Sequence, residues 1–370
     1  MSSTHRIQTA QPWAPVTVDS VMERALALAA QTSPHPNPRV GAVVVTRDGK
    51  VLAEHAHQGP GTPHAEAAAV AAAGDAARGA IVYVTLEPCV HQGNTAPCVE
   101  QLIAAGVESV VVGAADPDPR VNGRGITMLR DAGIEVAMSN AAVAEQVDPG
   151  YFHHRRTGRP RVTLKIAATI DGQVAAADAT SRWITSEEAR ADGHRLRASA
   201  DAVLVGAGTL RDDDPALTVR LEGYSGRQPQ AVVVAGDRPL PANRRLYDRD
   251  PLIYVPTALD APPPGATTVA AAGAGGAVAV DLEMMLDDLG GRGVVDLLVE
   301  GGPTVAAALL NAGLVDRLIV YLGARIAGGH GRGMFEAGFP TLASARDVVI
   351  ADVRRLGPDL RLELELGAME

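Results

Sequence analysis

The chain has 370 residues, 46% hydrophobic and 21% charged, a soluble globular composition too long for one ordinary core, so two domains are expected. A formal net charge of −10 argues against the broad basic face on which nucleic-acid affinity rests, yet leaves room for a small anionic substrate held by a few arginines. No apolar run reaches signal-peptide or membrane-span length, and two cysteines are too few for a secreted disulfide scaffold, which points to a reducing, cytoplasmic setting.

Ser20 with Glu23 forms a capping box for a helix running to residue 30, with Val21, Ala25 and Leu28 at core spacing. Apolar strands are expected at 40–45, 81–86 and 109–113. Helices fit between them at 64–73 and 97–105, the second stopped by Gly106. The alternation implies an α/β layer with buried strands. At 148–160 the text becomes DPGYFHHRRTGRP, basic and rich in Pro and Gly, and reads as a linker between domains at 15–147 and 161–368. Beyond it, strands are expected at 162–168, 202–206, 231–235, 294–299 and 318–322, with helices at 186–199 and 304–312. Residues 261–277, rich in Ala, Pro and Gly, read as a surface loop with a degenerate strand. No internal repeat is visible, so the two halves are different domains.

The first half carries HAE at 64–66, a cysteine at 89 after TLEP, and a second at 98 after AP. One imidazole and two thiolates, His64, Cys89 and Cys98, make three ligands for Zn²⁺ and leave a fourth position for water, as catalytic zinc requires. Zinc brings the pKa of that water towards neutrality. Glu66, two residues past the histidine, is placed to carry a proton between water and departing ammonia, the role of the non-ligand glutamate in zinc deaminases. Buried structural cysteines are the plainer reading, but structural zinc prefers four protein ligands and no third cysteine exists. Eight residues, VHQGNTAP, separate the cysteines, unlike the two of the cytidine-deaminase pattern.

The second half lacks a GxGxxG turn after a strand. It has instead VEGGPT at 299–304, a strand ending in two glycines with Pro303 and Thr304 opening a helix, whose first amides suit a phosphate.

HPNPRVG at 35–41, HAE at 64–66, PCVHQGNTAPC at 88–98 and DPDPRVNGRG at 116–125 resemble a known family, the bifunctional diaminohydroxyphosphoribosylaminopyrimidine deaminase / 5-amino-6-(5-phosphoribosylamino)uracil reductases. The resemblance continues through LKIAATIDG at 164–172, SRWIT at 181–185 and GAGTLRDDDPALTVR at 206–220. It implies an α/β protein: an N-terminal cytidine-deaminase-like α/β/α layer domain and a C-terminal dihydrofolate-reductase-like domain that binds NADPH. It also implies that Asn37, His57, His91 and Asp116 hold the pyrimidine and its phosphoribosyl arm. Ala168, Trp183, Thr209, Asp213 and the turn from Gly302 through Pro303 and Thr304 would lie along the dinucleotide. Lys165, Ser181, Arg197, Leu217, Arg220 and Glu300 would face the substrate, and residue chemistry agrees, since Arg197 and Arg220 can supply the guanidinium donors a phosphate oxyanion prefers and Trp183 can cover a flat ring. The chain departs from the family text at Val90, Gln92, Asn94 and Ala96, where Asn94 loses a cation. Another departure is Ala235-Gly236, where the family reads Asp-Ser and the cofactor would meet the Gly236 backbone instead of a hydroxyl. The implied activity is hydrolytic deamination followed by NADPH-dependent reduction of the ribosyl chain, in a homo-oligomer with no membrane or nucleic-acid partner. Two other readings stand beside it: a deaminase of another free base fused to an unrelated reductase, and a zinc-stabilised binding module without catalysis.

Overall fold

The computed structural model describes residues 18–91, 96–139, 144–178, 180–236, 238–257, 262–271, 279–329, 331–335, 341 and 345–366. The chain divides into two compact units, residues 1–152 and 153–370.

In the first unit a five-stranded sheet is built round three central strands, apolar runs rich in valine and buried along most of their length, with two less buried strands at its edges. The strands are β1 (Gly41–Val45), β2 (Val51–Ala56), β3 (Ile81–Leu86), β4 (Ser109–Ala114) and β5 (Glu135–Met138), in the sheet order β2-β1-β3-β4-β5. β1 runs antiparallel to β2 and β3, whereas β3, β4 and β5 are parallel. Val43, Val44, Val82, Val84, Val110 and Val112 are fully buried, as strands covered on both faces require. Among the described residues the helices that accompany the sheet are α1 (Val18–Ala30), α2 (Ala65–Ala73), α3 (Cys98–Ala105) and α4 (Arg124–Asp131). α1 begins two residues before Ser20, which therefore lies in its first turn and not at a cap. The aromatic-poor composition is met by close approach of small residues. A Cβ on Gly41 would lie 2.0 Å from the Ala25 carbonyl oxygen of α1.

The expected linker holds a helix, α5 (Pro149–Thr157). Asp148 initiates it: its Oδ1 accepts the Tyr151 amide at 3.3 Å, the bond that makes Asp a good helix cap. Composition alone hid this, because Pro at the first helical position is favourable despite its reputation as a breaker.

The second unit is built on a nine-stranded sheet in the order β11-β10-β9-β8-β12-β6-β13-β16-β15. Its strands are β6 (Arg161–Thr169), β8 (Ala202–Gly206), β9 (Gln230–Val234), β10 (Leu252–Val255), β11 (Thr267–Ala270), β12 (Asp296–Val299), β13 (Arg317–Gly323), β15 (Val348–Leu356) and β16 (Asp359–Leu366). All neighbours from β11 to β13 are parallel, and β16 and β15 close the sheet antiparallel. β7 (Gln173–Ala175) and β14 (Arg332–Gly333) pair separately. The helices are α6 (Glu187–Ser199), α7 (Ala207–Asp213), α8 (Leu282–Gly291) and α9 (Pro303–Asn311). β6 shows how the sheet aims chemistry. Val162, Leu164 and Ile166 enter the hydrophobic core, so Lys165 projects from the opposite face. That face meets α6, whose Gly193 lies alongside the Lys165 side chain. Ser186 caps α6, its hydroxyl accepting the Ala189 amide at 3.3 Å. The degenerate strand expected within 261–277 is β11, whose core partners hold it despite weak patterning.

Because the Gly41 site has no room for a methyl group, Gly41→Ala forces α1 away from β1. We expect a loss of about 1–3 kcal/mol, read as a lower melting temperature of the first unit with the second unit's transition unmoved.

Candidate functional site

Three chain segments converge at the first site. His64 is the residue before α2, Cys98 opens α3, and Cys89 lies in the turn that follows β3. His64 Nδ1 is 3.1 Å from Cys98 Sγ and 3.5 Å from Cys89 Sγ, and all three ligand atoms lie within 4.8 Å of one another. The Cys98 amide donates to Cys89 Sγ at 3.4 Å. A hydrogen bond from the Cys98 thiol, aided by His64, holds the Cys89 thiol at about 4, well below its ordinary value. Glu66, in the first turn of α2, is buried, and its Oε2 has no hydrogen-bond partner among the described residues. Burial raises the pKa of this carboxyl, so it takes up a proton more readily than an exposed glutamate. One imidazole, two sulfurs and an unpartnered carboxyl oxygen fit a metal with an open position, and they fit zinc by ligand type.

Of the residues expected to hold the pyrimidine, Asn37 and His57 stand beside this cluster. Asn37 Nδ2 and His57 Nε2 are 2.9 Å apart, and the His57 ring meets the His64 ring edge-on at 5.2 Å between centroids. His57 Nδ1 donates to the Pro63 carbonyl at 3.1 Å, and burial lowers its pKa, so the ring stays neutral. His91 is exposed in a bend next to residues 92–95, where Gln92 and Asn94 lie outside the described residues. Asp116 follows β4 and is buried, accepting from the Tyr151 hydroxyl at 3.2 Å and from the Asp118 amide at 2.9 Å. Burial pushes its carboxyl up to about 6. Arg120 is committed to Asp118 at 2.6 Å.

Glu87, two residues before Cys89, was not among the expected site residues. Its buried carboxylate accepts four amides, those of Asp116, Gly123, Gly125 and Ile126, at 2.8–3.2 Å. The DPDPRVNGRG loop is thereby tied to the turn that carries Cys89. The signal in the sequence was an acidic residue in an otherwise apolar strand end, TLEPC.

In the second unit Lys165, Arg197 and Glu300 come together. Arg197 clasps Glu300 with two bonds of 2.5 and 3.0 Å, and Lys165 Nζ lies 3.7 Å from the same carboxylate. Burial alone would raise the Glu300 pKa, but Lys165 and Arg197 outweigh it and bring it to about 2. The remaining Arg197 nitrogen donates to the Thr218 carbonyl at 3.0 Å, so this guanidinium is committed within the protein. Among the described residues no carboxylate pairs with Arg220, whose amide donates to His194 Nδ1 at 3.3 Å. Leu217 is buried at φ 50°, a left-handed conformation that bends the chain towards Arg220. Ser181 is exposed, and Trp183 is exposed with the Arg190 guanidinium stacked 4.5 Å from its ring. Arg182 ties that segment to Asp213 at 3.2 Å. Ala168 is buried near the end of β6, and Thr209 is half-buried on α7. Gly302 starts α9 without a side-chain cap, with Pro303 and Thr304 following, and a Cβ on Gly302 or Gly236 would meet open space. The helix start and the carboxyl ends of parallel strands are where dinucleotide phosphates bind in open sheets.

Two family models match the chain: the cytidine and deoxycytidylate deaminase zinc-binding region over residues 16–114, and the RibD C-terminal domain over residues 160–362. The riboflavin biosynthesis protein RibD of Escherichia coli is 40% identical over 93% of this chain and 98% of its own. Among solved structures, RibD of Acinetobacter baumannii superposes with a TM-score of 0.87 at 35% identity, covering 94% of this chain and 98% of that one. The diaminohydroxyphosphoribosylaminopyrimidine deaminase / 5-amino-6-(5-phosphoribosylamino)uracil reductase of Thermotoga maritima does so at 0.85 and 31%, with the same coverage.

An aspartate whose folded pKa lies above its ordinary value loses stability as the pH rises through that folded value. For Asp116 the window runs from about 4 to about 6. Asp116→Asn should therefore match the wild type near the acid end and exceed it at pH 8, by on the order of 2 kcal/mol. Thermal melts of the two proteins across that range measure the difference; a variant less stable at pH 8 would contradict it.

Proposed function

The chain belongs to the RibD family of riboflavin-biosynthesis proteins, and on that premise we propose that its two sites act in succession on one phosphoribosyl pyrimidine. It is a bifunctional enzyme with a zinc-dependent deaminase activity and an NADPH-dependent reductase activity. We take 15–147 and 161–368 as the two catalytic domains. The observation that carries the reading is the convergence of His64, Cys89 and Cys98 beside the unpartnered Oε2 of Glu66.

The first substrate is 2,5-diamino-6-(5-phosphoribosylamino)pyrimidin-4(3H)-one. Zinc, when held by His64, Cys89 and Cys98, acidifies water so that an attacking oxygen is available near neutral pH. Glu66 accepts the proton of that water at Oε2 and returns it to the exocyclic nitrogen, so that hydroxyl replaces amine on the ring carbon and ammonia leaves. Its raised pKa suits both halves of the transfer. Asn37, oriented by neutral His57, meets the ring, and His91 and Asp116 face the phosphoribosyl arm.

At the second site the ribosylamine opens and its C1 is reduced, giving 5-amino-6-(5-phosphoribitylamino)uracil. Ala168, Trp183, Thr209, Asp213, Gly236 and the Gly302–Thr304 turn would hold NADPH, which would supply the hydride. Ser181 and the Leu217 backbone border the substrate, Lys165 meets a sugar hydroxyl, and Arg220 takes the phosphate. Arg197 holds Glu300 in one orientation, so the site works mainly by positioning.

The enzyme acts on a small molecule; among the described residues no helix is long and apolar enough to cross a bilayer. Two unpaired thiols fit a reducing cytoplasm. Self-association is supported by β15, an edge strand whose Val349 and Ile350 are 60% and 61% exposed. We expect light scattering to give a dimer or larger, and Val349→Lys combined with Ile350→Lys to reduce it to a monomer.

A coupled assay on zinc-loaded protein tests the catalytic reading, with ammonia and NADPH followed separately. Glu66→Gln should lower ammonia release by about 10²-fold or more while retaining zinc and full reduction of the deaminated intermediate. Arg197→Ala should do the reverse. A wild type that turns over neither substrate would overturn the assignment.

A further inference from the structure

The start of α5 lies between the two regions matched by the family models, 16–114 and 160–362. Two side chains there reach two different loops of the first unit. Asp148 is buried, and its Oδ1 lies 3.0 Å from His35 Nε2 while its Oδ2 accepts the Arg39 amide at 2.8 Å. One carboxylate thus closes both ends of the HPNPR turn. Asn37 sits at the centre of that turn between two prolines with fixed φ, and its amide nitrogen is 2.9 Å from His57 Nε2. Three residues further on, on the same side of the helix, Tyr151 donates its hydroxyl to Asp116. Asp116 opens the loop whose amides Glu87 accepts, its own together with those of Gly123 and Gly125, so Tyr151 adds a bond to the one part of Asp116 that Glu87 does not hold, its side chain.

Neither contact is needed to form α5. The Asp148 cap uses only the Tyr151 amide, and a phenylalanine would bury the Tyr151 ring equally well. What the extra bonds do is hold Asn37 and Asp116 still. We propose that Asp148 and Tyr151 are positioning residues for deamination, fixing Asn37 and Asp116 against the pyrimidine, so that the segment joining the two units belongs to the machinery of the first site. The inference rests on the reading of Asn37 and Asp116 as substrate contacts.

Positioning residues of this kind act on substrate binding and leave proton transfer at Glu66 alone. The test uses the full-length, zinc-loaded enzyme with the diaminopyrimidinone ribosyl phosphate. Ammonia release gives KM and kcat, and NADPH oxidation with the deaminated intermediate reports folding in the same preparations. Asp148→Ala and Tyr151→Phe should each raise the deaminase KM about three- to tenfold, the effect of losing a buried hydrogen bond, with kcat and reductase activity within about twofold. Asp148→Asn keeps an acceptor for the Arg39 amide and should recover most of the loss. Asn37→Ala separates the inference from its premise. If it raises KM while Asp148→Ala and Tyr151→Phe do not, the positioning role is wrong and the substrate reading stands. If it leaves KM unchanged, the substrate reading of Asn37 fails and the proposal with it. Should Asp148→Ala lose both activities by misfolding, Tyr151→Phe, which removes a single oxygen, decides alone. A fall in kcat at constant KM overturns the proposal.

Discussion

Glu87, two residues before Cys89, accepts four main-chain amides, and the first site depends on that arrangement. A carboxylate taken out of water costs several kcal/mol unless donors surround it. The reverse also holds: amides gathered round a buried carboxylate cannot move apart without exposing it. The chain uses this constraint repeatedly. Asp148 holds the HPNPR turn, Asp359 receives the amides of Ser186 and Ala324, and Asp201 receives those of Val295 and Asp296. The HPNPR turn carries Asn37 and the Ser186 turn follows Trp183; apart from the His35 ring, the groups held are backbone amides, which leaves other side chains of these loops free to face outward.

The two catalytic regions treat their glutamates in opposite ways. Glu66 is buried with one oxygen unpartnered, so its proton affinity rises and a proton can be passed on. Glu300 is also largely enclosed, but Arg197 and Lys165 surround its carboxylate and keep it ionised. A carboxyl that must move a proton and one that must present a fixed charge need these two environments, whatever the fold around them. The reductase unit accordingly offers geometry, with the cofactor supplying the chemistry.

Much of this was legible in the residues. Valine runs marked β1, β3, β4 and β8 closely, because strands buried on both faces need no alternation to be recognised. Other elements escaped. β16 alternates Leu360, Leu362, Leu364 and Leu366 with polar residues, a clear period-two pattern absent from the expected strands. β10 is four residues long, too short to carry a period and stable only through its sheet neighbours, and the equally short β11 was legible only as a degenerate strand within 261–277. Residues 148–160 read as a linker because Pro, Gly and charges dominate, although Asp148 and Pro149 are also a sound helix start.

At the sites, the sequence by itself determined the chemistry. The donor types His64, Cys89 and Cys98 with Glu66 nearby, and the cations of the second half, follow from residue identity and need no coordinates. Only the tertiary structure decided which donors are already engaged. Arg197, a natural phosphate ligand on paper, is clasped by Glu300 and Thr218, and Arg220 is the guanidinium left without a carboxylate among the described residues. Glu87, Asp148 and Tyr151 matter through bonds spanning 29 to 113 residues of chain. Side-chain identity sets what a group can do, whereas partners distant in sequence set whether it is free to do it, and those partners are chosen only when the chain folds.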